Sequence, residues 1–230
     1  MEYILEGIVK AFELIFSLDT NVFSAVWVSL RTSFTAIFLA SITGVPLGFI
    51  VATHDFRGKR PTVTLLNTLM ALPTVVVGLT VFSFISRQGP FGPLGLLYTP
   101  TAMIIGQFIL ATPIVAALSI SAVQSTDPRV RETAITLGAS PLQTALTITS
   151  EAKFAITAAI IAGFGRVIAE VGSAMMLGGN IRGYTRTMTT TIALETSKGE
   201  FGLGIALGII LLLVAFTINI LFQSLQKREV

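Results

Sequence analysis

Few side chains in this 230-residue chain could do bond chemistry. It holds one histidine, His54, and no cysteine, so disulfides, thiolate metal sites and thiol nucleophiles are excluded. No nucleophile–base pair, phosphate-cradling loop or metal-ligand spacing is found along it, and His54 at the edge of an apolar run gains no role. What the sequence does hold is charge in apolar surroundings. Arg166 and Glu170 stand four residues apart inside a long hydrophobic run. Just beyond comes GGNIRGYTRTMTTT, with Asn180, Arg182, Tyr184, Thr185, Arg186, Thr189 and Thr190. Arginine forks and hydroxyls donate several hydrogen bonds without requiring a proton on the ligand, which suits a tetrahedral oxyanion. The same basic segment could dock an acidic partner surface.

An ionised side chain at bilayer depth costs several kcal/mol unless it is paired or hydrated. At about 100° per helical residue, Ala155, Ala159, Gly163, Arg166 and Glu170 fall within an arc of about 80°. Small residues at that spacing let helices approach closely, and the two charges can neutralise each other on the same side. Two readings follow. The pair either locks helices together or borders an anion path, with Glu170 holding Arg166 in place.

The elements that must carry these groups are membrane helices. Hydrophobic residues make up 53% of the chain and charged residues 12%, with a mean hydropathy of +0.83. Soluble domains carry roughly 25% charge. The net charge of +3 is scattered beside apolar runs and lines no face, which argues against nucleic acid and for a lipid bilayer. A span needs about 20 apolar residues. Five segments qualify: Ser33–Thr53, Val63–Ile85, Thr101–Val123, Phe154–Leu177 and Phe201–Phe222. Pro46, Pro73 and Pro113 fall within the first three, either as tolerated membrane prolines or as kinks that shape a pathway. Ahead of them, Ile4, Leu5, Ile8, Phe12 and Ile15 recur at helical spacing opposite Glu6, Lys10 and Glu13. Residues 1–20 therefore read as an amphipathic interfacial helix with no secretory cleavage signal, and Trp27 as an interfacial anchor.

Basic residues orient the spans. Arg57, Lys59 and Arg60 crowd the first connection, Arg129, Arg131 and Lys153 the third, and QKREV the C-terminus. The positive-inside rule makes these cytoplasmic, which places the N-terminus outside. The fourth connection is then outside yet carries Arg182, Arg186 and Lys198, so it calls for a reason other than topology.

The third connection, residues 127–150, carries strong local signals. Asp127-Pro128 is a helix start, with a capping oxygen and then a proline whose missing N–H costs nothing. Val130, Ala134 and Leu137 share one face, and Gly138 suits the left-handed residue that ends a helix. Ser140-Pro141 repeats the start signal before Leu142, Ala145, Leu146 and Thr149. A helix–glycine–helix hairpin on the cytoplasmic side could be gripped by a peripheral partner or could lie on lipid.

Within this hairpin Glu132-Thr133-Ala134, Gly138 and Ile148 resemble the EAA…G motif of ABC importer permeases, departing from it where Ser150-Glu151 replace Leu-Pro. The text from Gly165 to Gly202, with LPTVVVG at Leu72–Gly78, is similar to permeases of the sulfate, molybdate and tungstate group, most of all its tungstate branch. The resemblance covers most of the chain from about Ser29. It implies an all-α integral membrane protein of the type I importer fold: about five transmembrane helices, the N-terminal amphipathic helix (1–20) and a transmembrane domain (21–230) with a cytoplasmic coupling helix. It implies ATPase coupling through Arg131, Glu132, Ala134 and Gly138, and a path bordered by candidates among Arg166, Glu170, Asn180, Arg182, Thr185, Arg186, Thr189 and Thr190. It further implies a homodimer in a prokaryotic inner membrane, with two ABC ATPase subunits and an extracytoplasmic oxyanion-binding protein. This chain would hold no cofactor, since ATP and Mg would be bound by the ATPase, and it would be a transport subunit with no catalysis of its own. Tungstate is the expected cargo, with molybdate or sulfate as the alternatives. A self-contained anion channel or secondary transporter is the rival from another class.

Overall fold

The computed structural model describes residues 2–17 and 19–227, with side chains for 4–17 and 19–221. Met1, Leu18 and residues 228–230, the last three of the C-terminal QKREV, lie outside the described residues, as do the side chains of Glu2, Tyr3 and 222–227. The described chain is all helical: α1 (Glu2–Phe16), α2 (Thr20–Thr53), α3 (Lys59–Met70), α4 (Thr74–Ile85), α5 (Pro100–Gln124), α6 (Pro128–Thr136), α7 (Pro141–Glu151), α8 (Lys153–Ile168), α9 (Gly172–Gly178), α10 (Met188–Ser197) and α11 (Phe201–Lys227).

Three of these, α2, α5 and α11, are each long and apolar enough to cross a membrane. Two bent pairs, α3–α4 and α7–α8, bring the number to five if each pair is one span. The second pair joins Pro141–Glu151 to Lys153–Ile168 where the sequence reading had Phe154–Leu177, and two of the expected segments are built differently. Val63–Ile85 is not one helix. Leu72 precedes Pro73, whose ring disfavours helical geometry at the residue before it. The chain therefore stops helix at Met70, restarts at Thr74 and turns by 98°. Pro46 and Pro113, by contrast, lie inside continuous helices. Phe154–Leu177 is likewise interrupted: α8 ends at Ile168 and the short α9 follows after three residues.

The first span is longer than expected and starts at Thr20 instead of Ser33. Asp19 caps it, its Oδ1 accepting the N–H groups of Asn21 and Val22 at 2.9 and 3.0 Å. Its 34 residues reach about 51 Å at 1.5 Å each, against a hydrocarbon core of about 30 Å. Trp27 thus lies within α2, exposed.

α5 is the hub. In its most apolar window 67% of residues are buried inside the protomer, against 33% for α2 and 28% for α11. Ile37 and Ala40 of α2, Ala111 and Val115 of α5, and Phe164 and Val167 of α8 form one core cluster. The approach of α2 to α5 requires glycine: a Cβ on Gly48 would lie 2.6 Å from the Ala116 carbonyl oxygen. A second cluster joins α4, α5 and α9 through Val77, Val81, Leu110 and Leu177. A third joins α2, α10 and α11 through Val22, Ala25, Met188, Leu207 and Ile210.

α1 packs on α11, with Gly7 and Ala11 buried and Gly7 set against Ile205. Its inward face is therefore the small-residue stripe, while Ile4, Leu5, Val9, Phe12 and Phe16 stay exposed.

Candidate functional site

The hairpin α6–α7 is closed by its own residues. The Asp127 carboxylate accepts the Arg129 N–H at 2.9 Å, and Pro128 occupies the first turn. At the far end Gly138 adopts φ +80°. Its N–H donates to the Ile135 carbonyl at 2.9 Å, and the Ala139 N–H donates to that of Ala134 at 3.0 Å. These two bonds make a Schellman closure, which needs a left-handed residue where Gly138 stands. Ser140 and Gln143 then form a reciprocal capping box that starts α7.

Ala134, Thr144 and Ile148 are buried as the inner face of this hairpin. Arg131, Glu132, Ile135, Leu137, Leu142 and Leu146 are exposed, with Leu137 at 82%. Val130, Ala134 and Leu137 therefore do not share one environment: Ala134 faces the protein and Leu137 faces away. A rigid turn thus displays apolar and charged side chains together, the arrangement a partner groove can receive.

The second candidate region is the interruption between α8 and α9. Ending a helix in the interior leaves carbonyls without partners. The Val167 carbonyl accepts the Gln107 side-chain amide of α5 at 3.3 Å, and the Glu170 carbonyl accepts the Thr189 hydroxyl at 2.6 Å. The Glu170 carboxylate, 2% exposed, accepts the Ser173 N–H at 2.8 Å and Arg166 Nη1 at 3.3 Å. Arg166 is 36% exposed. The expected i, i+4 ion pair is present, and its carboxylate also starts α9. Gln107 went unnoticed in the sequence. A lone amide in the Thr101–Val123 run was the available signal.

The segment 179–191 is not a simple loop. Thr187 and Thr190 form a capping box that starts α10, and the Met188 N–H donates to Ser29 Oγ at 2.9 Å. Thr185, Thr187, Thr189 and Thr190 are buried. Thr185 donates to the Gly178 carbonyl and accepts the Ile181 N–H at 3.0 Å. These hydroxyls hold backbone together, whereas the arginines keep donors in hand. Arg186 spans the Asn180 carbonyl with Nε and Nη2 at 3.3 and 3.2 Å, and Asn180 itself is left-handed at φ +51°. Arg182 Nε donates to Asn21 Oδ1 at 2.7 Å. The structure thus separates the path candidates. Arg166, Glu170 and Thr189 meet at the α8–α9 interruption, while Arg182 and Arg186 line a cavity at the end where α2 and α11 begin. Among the described residues no group of three His, Cys, Asp or Glu side chains could hold a metal ion.

The protein is thus a helical chain with broken apolar spans and an exposed, locally closed hairpin. Residues 44–229 match the family described as "Binding-protein-dependent transport system inner membrane component", and the chain belongs to that family. It is the membrane-spanning permease subunit of an ABC importer, a multi-pass component of a membrane complex and not an enzyme. The chain is 41% identical over 228 residues to the tungstate uptake system permease protein TupB of Peptoclostridium acidaminophilum, covering 99% of this chain and 100% of that one. It is 42% identical to the protein of the same name from Campylobacter jejuni, covering 99% and 95%. An inward-facing structure of the MetNI methionine ABC transporter shares the fold, with a TM-score of 0.73 at 15% identity over 90% of this chain and 95% of that one.

Proposed function

We propose that this permease imports tungstate, driven by two ATPase subunits that dock on the α6–α7 hairpin of each protomer in a homodimer. The tungstate reading is supported by full-length likeness to two proteins named as tungstate permeases. The observation that carries the docking reading is the hairpin itself, which presents Arg131, Glu132 and Leu137 on a turn fixed by Ala134 and Gly138. A rigid handle transmits displacement where a flexible loop would absorb it. ATP and Mg belong to the ATPase, and this chain holds no cofactor of its own. An extracytoplasmic binding protein delivers the anion.

By the positive-inside rule, the basic residues beside the hairpin support a cytoplasmic hairpin and C-terminus, with the N-terminal helix (1–20), ahead of the transmembrane domain (21–230), on the outer side. On that orientation Arg166, Glu170 and Thr189 border the path within the membrane. Asn180, Arg182, Thr185, Arg186 and Thr190 shape its outer end, the arginines as anion contacts and the threonines as the frame that holds them. A passage site must also release its ion, so the contacts are distributed over several residues.

The test is ATPase stimulation in the reconstituted complex, with binding protein loaded in turn with tungstate, molybdate and sulfate. Tungstate is expected to stimulate most. Equal stimulation by sulfate would overturn the tungstate reading, and activity from the permease with no ATPase present would favour a self-contained transporter.

A further inference from the structure

At the end of the molecule where α2 and α11 begin, a cavity of about 350 Å³ opens between α1, the start of α2, the 179–187 turn, α10 and α11. Four cationic side chains line it, Lys10, Arg182, Arg186 and Lys198, together with the carboxylates of Asp19 and Glu195. Neither carboxylate pairs with an arginine of the lining. Glu195 pairs with Lys198 at 3.0 Å, and Asp19 caps α2 through two backbone N–H groups. Among the described residues, Lys10, Arg182 and Arg186 have no carboxylate partner within salt-bridge distance.

The two arginines are held in place by neutral oxygens. Arg182 uses only Nε on the Asn21 amide, which leaves both of its Nη groups. Arg186 uses Nε and Nη2 on the Asn180 carbonyl, which leaves Nη1. Both guanidinium groups are therefore oriented by an acceptor that carries no charge, with donors to spare. At about 30 Å³ per water the space holds roughly ten waters, enough for one hydrated oxyanion and far too little for a protein surface. The lining sets four cations against two carboxylates, a net charge of +2, and its two oriented planar forks match an anion with several oxygens at tetrahedral spacing.

We propose that this cavity binds a tetrahedral oxyanion group through Arg182, Arg186 and Lys10, making the N-terminal helix part of an anion site. The group is either a free oxyanion or the phosphate of an anionic lipid headgroup. The inference deepens the transport reading but does not require it, because occupancy is an equilibrium property that can be measured without turnover.

The measurement is equilibrium binding of radiolabelled sulfate, with unlabelled tungstate as competitor, to the permease–ATPase complex without binding protein. The complex is held in phosphatidylcholine nanodiscs, with or without added phosphatidylglycerol. Saturable binding is expected, weakened about tenfold by Arg182→Gln or Arg186→Gln and about threefold by Lys10→Gln. The Lys198→Gln/Glu195→Gln double variant, which removes one paired charge of each sign, should leave it unchanged. Arg182→Lys, which keeps the charge and removes the fork, should fall between wild type and Arg182→Gln and guards against a variant that does not fold. If phosphatidylglycerol displaces sulfate from the wild type, the occupant is the headgroup phosphate; if it does not, the occupant is the free oxyanion. Absence of saturable binding in both lipids, or binding unchanged in the Arg182→Gln/Arg186→Gln double variant, overturns the site. If a separate titration with binding protein shows the charge variants losing affinity for it while the wild type binds no sulfate, the site is overturned in favour of acidic partner docking. Tungstate uptake measured on the same variants separates the two readings, because uptake without cavity binding would sink the cavity alone.

Discussion

The α6–α7 hairpin and the α8–α9 interruption are both short departures from a membrane-spanning helix, and they are stabilised in opposite ways. The hairpin satisfies its backbone with groups no more than five residues away: Asp127 to Arg129, Ala139 to Ala134, Ser140 to Gln143. The interruption borrows partners from far along the chain. Gln107 reaches Val167 across 60 positions, and Thr189 reaches Glu170 across 19. A locally closed element can be displayed to solvent and to a partner without weakening the fold. A break held by distant side chains cannot be altered without moving the helices that supply them. A displayed turn and a tied-in break are thus different physical objects, although both look like polar residues in an oily sequence.

That difference is open to test, and the sharpest separation of transport from folding should come at the hairpin. Glu132→Arg reverses an exposed charge where a partner is proposed to dock, and like-charge contact at an interface costs several kcal/mol, so uptake should fall roughly 100-fold or more. Stability should hardly move, since exposed substitutions stay within about 0.5 kcal/mol, or about 2 °C for a chain of this size. Uptake assays beside thermal melts of the solubilised complex would show it. Normal uptake would falsify the docking assignment.

At the interruption, transport and stability should fall together. Arg166→Ala strands the buried Glu170 carboxylate; with Arg166 itself 36% exposed, the expected loss is about 2 kcal/mol. Glu170→Ala in that background removes the stranded charge and should recover part of the loss. Recovery stays incomplete because the Ser173 N–H loses its acceptor. A double variant as unstable as Arg166→Ala alone would show that the two charges are not coupled.

Gln107→Leu should cost about 1 kcal/mol by leaving the Val167 carbonyl with one partner fewer, and Thr189→Val a similar amount at Glu170. Because both substitutions loosen the same interruption, a double-mutant cycle on thermal stability should be non-additive. Strict additivity would mean that the two supports act on separate structures.

An effect on stability as small as those is expected at Gly138→Ala. A Cβ there meets nothing within 4 Å, so the cost is confined to the left-handed backbone, about 1 kcal/mol. Uptake should be reduced but not lost, and a drop in uptake without a matching shift in melting temperature would again mark the hairpin as a handle.

The sequence by itself determined whatever depends on neighbours in the chain. Apolar runs of sufficient length placed the crossing segments, because a bilayer admits only backbone that satisfies its own hydrogen bonds. Asp127-Pro128, Gly138 and Ser140-Pro141 placed the hairpin and both of its helix ends, because capping and left-handed geometry are short-range chemistry. The i, i+4 spacing placed the Arg166–Glu170 pair. Only the tertiary structure decided that Pro73 interrupts its crossing while Pro46 and Pro113 do not, where the fourth crossing is interrupted, and that the threonines of 185–190 are buried frame instead of exposed loop. It alone decided that α1 faces inward through Gly7 and Ala11. It also brought Lys10 beside Arg182 and Arg186, positions more than 170 residues apart in the chain. Each of these depends on which distant group fills a vacant donor or acceptor, or how closely two backbones approach. Neither is encoded in spacing along one segment, because both are settled only when the helices pack.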